Sequence, residues 1–327
     1  MLRILAKTIV LVVLVFASVA AAAEQVNVAM RGVGMGELPI IVAMRNRYFA
    51  TEGLQIRLIQ IQSRIAIKSL MAGELDFDLG WNNSIRAAIS GTPIKLVAVT
   101  VARPLHVLIG RPDIGSGKNL KGKTLGVDAF FPGTDYLSRL TLRYLGVDPE
   151  KDVNIVEIDR SVSGLEELRE GKIQAAVVDL ATAIRAEEEG FKRLIHLGAL
   201  IDLPVCGIAV TAKKLGLERA QVKKFIRAAH RGARFIKQNR SDTLHILQHF
   251  LKMTQSQAAR AHEAAVGAYT DDGFISDRAL ALSVRRVRDE LESSGDPMLA
   301  QVADWSVLRE LLADRRKIPF WLRQYDP

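Results

Sequence analysis

The chain has 327 residues, 49% of them hydrophobic and 25% charged, the balance of a globular protein long enough for two lobes with separate cores. This composition excludes a disordered, collagen-like or disulfide-rich chain, and the single cysteine, Cys206, has no partner for a bridge within the molecule. A formal charge of +9 favours anionic partners weakly through the overall field, and no dense basic stripe interleaved with aromatics marks a nucleic-acid surface.

Residues 1–23 read as an export signal. Arg3 and Lys7 make a basic start, Ile9 to Val19 is apolar apart from Ser18, and Ala21-Ala22-Ala23 supplies small residues before Glu24. The apolar run is short for a membrane span, which needs about 20 residues. The expectation is cleavage and a protein outside the cytoplasm; the alternative is an uncleaved anchor. Loss of Arg3 and Lys7 with the leader leaves +7.

Strand-like and helical stretches alternate from Gln25 to about Val210. Val26 to Met30 predicts a strand, followed by the loop Arg31-Gly-Val-Gly-Met-Gly-Glu-Leu-Pro39 and a helix over 38–50. The loop lacks the Gly-Lys-Ser/Thr of a P-loop and the Gly-x-Gly-x-x-Gly of a dinucleotide fold. It is either a plain turn or a rim where Gly34 and Met35 meet a ligand at the carboxyl end of a strand. Strands follow at 54–61 and 75–81, and helices at 63–73 and 83–90. Between these, Trp81, Asn82 and Asn83 either cover and hydrogen-bond a small ligand or form a packed helix start. Asp76 and Asp78 share a strand face with no visible partner. Two more strands flank Arg103, either an acid clamp or a surface charge. A second α/β unit begins near Asn119. Its Gly133 and Thr134 either present an anion site or cap a helix, and Asp179 is its counterpart to the Trp81 loop.

The segment from Ser69 repeats in the segment from Glu167: Leu70 matches Leu168, Gly73 matches Gly171, and Leu75 matches Ile173. Both run helix, Gly, strand, loop, helix, and so predict two similar α/β lobes with largely parallel sheets. After Thr211 only amphipathic helices are predicted, with Ser241, Ser256 and Ser276 as candidate N-caps. The clusters Arg285 to Arg288 and Asp314 to Lys317 read as solvated helix faces. His245 and His249 have metal-like spacing, but Ile246 stands where a zinc protease needs Glu, and Cys206 in its apolar strand reads as a small hydrophobe.

Arg47 to Leu58 (RYFATEGLQIRL), Ala72 to Gly80 (AGELDFDLG), Leu120 to Leu137 (LKGKTLGVDAFFPGTDYL) and Glu170 to Asp179 (EGKIQAAVVD) resemble the periplasmic solute-binding proteins of ABC importers. The resemblance is to the branch of sulfonate, taurine, nitrate and thiamine-precursor binders. It implies a type II periplasmic binding protein fold: two α/β lobes, a hinge, and a helical C-terminal extension. It implies residues 24–102 in lobe 1, 103–203 in lobe 2, and 204–327 completing lobe 1. It carries ligand contact over to Gly34, Met35, Trp81, Asn82, Asn83, Arg103, Gly133, Thr134 and Asp179. It further implies a periplasmic monomer that binds a small organic, anionic ligand, docks on a membrane permease, and has no cofactor, metal or catalytic role. A cleft enzyme like those of the menaquinone pathway and a ligand-carrying sensor are the alternatives.

Overall fold

The structure is a computed structural model; it describes residues 23–127, 134–158, 164–270, 272–292 and 298–317. The expected export signal and the Phe130–Gly133 loop lie outside these residues. Among the described residues, no helix is long and apolar enough to cross a membrane.

The first lobe starts with β1 (Glu24–Met30), α1 (Leu38–Arg45), α2 (Tyr48–Thr51), β2 (Leu54–Gln60), α3 (Ser63–Ala72), β3 (Phe77–Gly80), α4 (Trp81–Ile89) and β4 (Ile94–Val101). The second holds β5 (His106–Gly110), β6 (Lys123–Val127), α5 (Thr134–Tyr144), β7 (Val153–Glu157), α6 (Gly164–Arg169), β8 (Ala175–Asp179), α7 (Leu180–Glu188) and β9 (Lys192–His196). The chain then returns to the first sheet as β10 (Cys206–Thr211). Helices follow: α8 (Ala212–Leu217), α9 (Arg219–Gln238), α10 (Arg240–Leu251), α11 (Gln255–Ala265), α12 (Asp277–Glu290), α13 (Leu299–Val302) and α14 (Ser306–Lys317).

The two five-stranded sheets have matching orders, β2-β1-β3-β10-β4 and β7-β6-β8-β5-β9. The sequence repeat maps onto this match: α3–β3 and α6–β8 occupy equivalent places. Gly73 and Gly171 end their helices at φ 77° and 75°, a conformation glycine takes without steric cost. The sheets are mixed, not largely parallel as expected. β10 runs antiparallel to β3 and β4, and β5 to β8 and β9. The cause is topological, since each of these strands enters from the other lobe at the edge where its neighbours end.

Several sequence boundaries shift. The predicted helix over 38–50 is broken, because Arg47 adopts a left-handed φ of 59° between α1 and α2. Ser276 caps α12 as expected, but Asn239 and Thr254 replace Ser241 and Ser256; Thr254 forms a capping box with Gln257.

The first lobe's core stacks Phe77 on Phe225 of α9, with ring centroids 3.9 Å apart. α9 crosses α1 so closely that a Cβ on Gly232 would sit 2.0 Å from the Pro39 carbonyl oxygen. A further apolar cluster runs from Leu38 of α1 through Ile236, Leu247 and Ala261 to Ile184 of α7, so α9–α11 join the two lobes. Its rim is polar: Gln257 donates to Glu188 at 2.6 Å, and Arg260 pairs with Glu187.

Candidate functional site

Both crossings between the lobes leave from one edge of each sheet. Val101 ends β4 and His106 starts β5; His196 ends β9 and Cys206 starts β10. The carboxyl ends of the mutually parallel strands lie at these edges, and the Val205 amide donates to the Val101 carbonyl at 3.0 Å, tying the crossings together.

On the first lobe the glycine loop is held from below. The Arg31 guanidinium grips Asp78 through Nη2, 2.7 and 2.9 Å from the two carboxylate oxygens, and Asp78 is 0% exposed. The Ser84 hydroxyl donates to the same carboxylate at 3.2 Å. Burial pushes the Asp78 carboxyl up; Arg31, the Gly80 amide and Ser84 pull it back. Gly80 leaves room for this pair: a Cβ there would fall 2.0 Å from Arg31 Nη2 and force the guanidinium to shift. The Tyr269 phenol donates to the Met35 carbonyl at 2.9 Å, and Gly36 lies over the Cys206 sulfur, 2.7 Å from where a Cβ would stand. Burial also raises Glu37, against the pull of the Glu37 and Gly34 amides and Arg31. Cys206 is pushed well up by burial, with Glu37 adding to it, so its thiol stays protonated and weakly nucleophilic.

This frame sorts the predicted residues. Gly34 remains at the loop surface, beside exposed Val33. Met35 is buried in the interlobe cluster and anchors the loop. Trp81 is 1% exposed: its Nε1 donates to Ser283 at 3.3 Å, and its ring covers Gly207 of β10. Its structural role is therefore core packing, one of the two sequence readings. Asn82 and Asn83 are half-buried in the first turn of α4, and neither side chain has a hydrogen bond among the described residues.

Arg103 stands on the first crossing, 54% exposed and 3.7 Å from Asp202 of the second. The pair lies along the hinge. On the second lobe, Thr134 opens α5 and is buried, while its neighbour Gly133 lies outside the described residues. Asp179 is the N-cap of α7, accepting from the Thr182 amide at 3.0 Å and hydroxyl at 2.5 Å. His106 and His196 adjoin it at the same edge; burial first, then Arg193 and His106, lower the pKa of His196. The fold thus brings Gly34, Asn82 and Asn83 to one edge and Thr134 and Asp179 to the other, with Arg103 at the hinge between.

Sequence reasoning missed the supports Arg31, Glu37 and Tyr269. It saw Asp76 and Asp78 but not their cations, Lys214 at 2.8 Å and Arg31. His245 and His249 are exposed on α10.

A family model described as NMT1/THI5 like matches residues 36–242. The chain belongs to the NMT1/THI5-like family. Riboflavin-binding protein RibY of Chloroflexus aurantiacus is 23% identical to this NMT1/THI5-like chain over 218 residues, 64% of the chain and 61% of RibY. The match therefore spans less than two thirds of that relative. The periplasmic aliphatic sulphonate binding protein SsuA from Escherichia coli superimposes with a TM-score of 0.72 at 13% identity, covering 88% of this chain and 99% of SsuA. The periplasmic nitrate-binding protein NrtA from Synechocystis PCC 6803 gives 0.68 at 12%, covering 91% and 90%. The NMT1/THI5-like chain therefore has the periplasmic binding protein fold.

Proposed function

We propose that this protein is the solute-binding component of an ABC importer, exported to the periplasm, which closes on a small organic ligand between its lobes and then docks on a membrane permease. The observation that carries the reading is the matched pair of sheets, which turn their loop-bearing edges toward two shared crossings. Such an arrangement lets two lobes rotate about a short hinge and bury a ligand. The fold likeness to SsuA and NrtA, both periplasmic binding proteins by name, supports it. Gly34, Asn82 and Asn83 face the ligand from the first lobe, and Thr134 from the second. Met35 and Trp81 serve beneath the rim, Arg103 at the hinge, and Asp179 as a helix cap at its edge. On the first lobe, a protonated Cys206 and an Asp78 held by Arg31 Nη2 offer no free nucleophile or base beneath the glycine loop.

The test is a thermal-shift and small-angle scattering screen of the chain from Glu24 onward, with small sulfonates, carboxylates, pyrimidines and flavins. A true ligand raises the melting temperature and reduces the radius of gyration together. A folded protein that responds to no compound overturns the reading. Fractionation of the native host checks the location, with the processed chain expected in the periplasm.

A further inference from the structure

Arg286 departs most from its sequence reading. It belongs to the cluster Arg285 to Arg288, expected on a solvated face, yet it is only 6% exposed. α12 packs on α4 of the first lobe, so Arg286 belongs to that body. Its guanidinium carbon lies 4.6 Å from the ring centroid of Tyr136, in the first turn of α5. α5 packs on β6 and β8, so this stack bridges the lobes.

The surroundings leave the cation undersupplied with acceptors. Glu290 Oε1 stands 3.1 Å from Arg286 Nε, but out of hydrogen-bond alignment, and its other oxygen is taken by Arg86. Two guanidinium groups share one carboxylate. Nε and Nη2 of Arg286 are buried with no hydrogen-bond partner. Guanidinium does not shed its proton, so each unmet donor carries a desolvation cost. An anion is the group that removes both the missing bonds and the excess positive charge. Arg86 also stands three and four residues beyond Asn83 and Asn82 on α4, and that spacing puts all three on one helix face.

We infer that Arg286 is the anion-anchoring residue of the interlobe site, taking an oxygen of a carboxylate or sulfonate on a small organic acid through its Nε–Nη2 edge. The inference rests on the solute-binding reading and adds the residue that selects an acidic head. Because the Tyr136 stack forms across the lobes, the acid and the closed state reinforce one another: filling the donors favours the geometry in which Tyr136 covers the cation.

The experiment titrates the chain from Glu24 onward calorimetrically with matched acid and amide pairs of graded size: acetate and acetamide, ethanesulfonate and ethanesulfonamide, benzoate and benzamide. Riboflavin and a pyrimidine are run alongside. The expected result is that at least one acid binds at least tenfold more tightly than its amide, and that Arg286→Met removes the preference. Arg286→Lys keeps a charge but not the fork, so it loses several-fold; it carries the test alone if the Met variant fails to fold by circular dichroism. Equal acid binding in wild type and variants overturns the inference. So does tight binding of riboflavin, the pyrimidine or an amide with no preference for acids; either result leaves the solute-binding reading standing. Silence toward every compound by the folded protein overturns both.

Discussion

Arg31 and Asp78 show how a strand-end loop is held in place from beneath. The carboxylate is fully buried beneath the loop and the guanidinium partly so. Removing one partner of such a pair leaves an uncompensated buried charge, at a cost of about 3 kcal/mol or more. Arg31→Met is therefore expected to lower the urea midpoint at pH 7 by that equivalent, and Asp78→Asn in the same chain to recover most of it. Glu37, nearby, acts in the opposite sense. Its raised pKa means that the folded state holds this proton more tightly than the unfolded chain does, so its contribution to stability falls as pH rises from the ordinary 4.5 through the raised value. Glu37→Gln removes that penalty. Its melting temperature is expected to exceed wild type at pH 7 and converge with it below 4.5. A gap that stays constant across this range would discount the Glu37 carboxyl as its source.

At the scale of elements, close approach decides which glycines matter. Gly232 lets α9 lie against α1, where an added Cβ would be 2.0 Å from a backbone oxygen that has no freedom to yield. Gly216, exposed in α8, would meet nothing within 4 Å. Gly232→Ala is expected to cost about 3 kcal/mol or to prevent folding, whereas Gly216→Ala gains about 0.5–1 kcal/mol from helix propensity. Denaturant titration of the two variants separates them. The elements themselves were largely legible, because hydrophobic period and terminal glycines are local signals; the paired segments at Gly73 and Gly171 even identified equivalent positions in the two sheets. Cross-chain partners were not. Nothing near Trp81 in sequence points to Ser283, nor anything near Arg286 to Tyr136, and so the sequence leaves the indole open between rim and core and reads a buried cation as a solvated one. Strand direction was hidden for the same reason, since β10 and β5 take theirs from the lobe they leave.

For the whole molecule, the order of assembly follows from where β10 inserts. β3 and β4 are separated in the first sheet by a strand that lies beyond the entire second lobe in the chain. During synthesis the amino-terminal half has a gap in its hydrogen-bonding ladder until residues 206–211 emerge, while the second sheet is built from one uninterrupted stretch, His106 to His196. Closing that gap spans a long loop and is the slower event. In pulse-labelling hydrogen exchange during refolding, amides of β6 and β8 should gain protection before those of β3 and β4; simultaneous protection would refute the order. A chain of this design spends its early life with an unfilled slot in its first half, and that slot is its surface most open to mispairing until the last strand arrives.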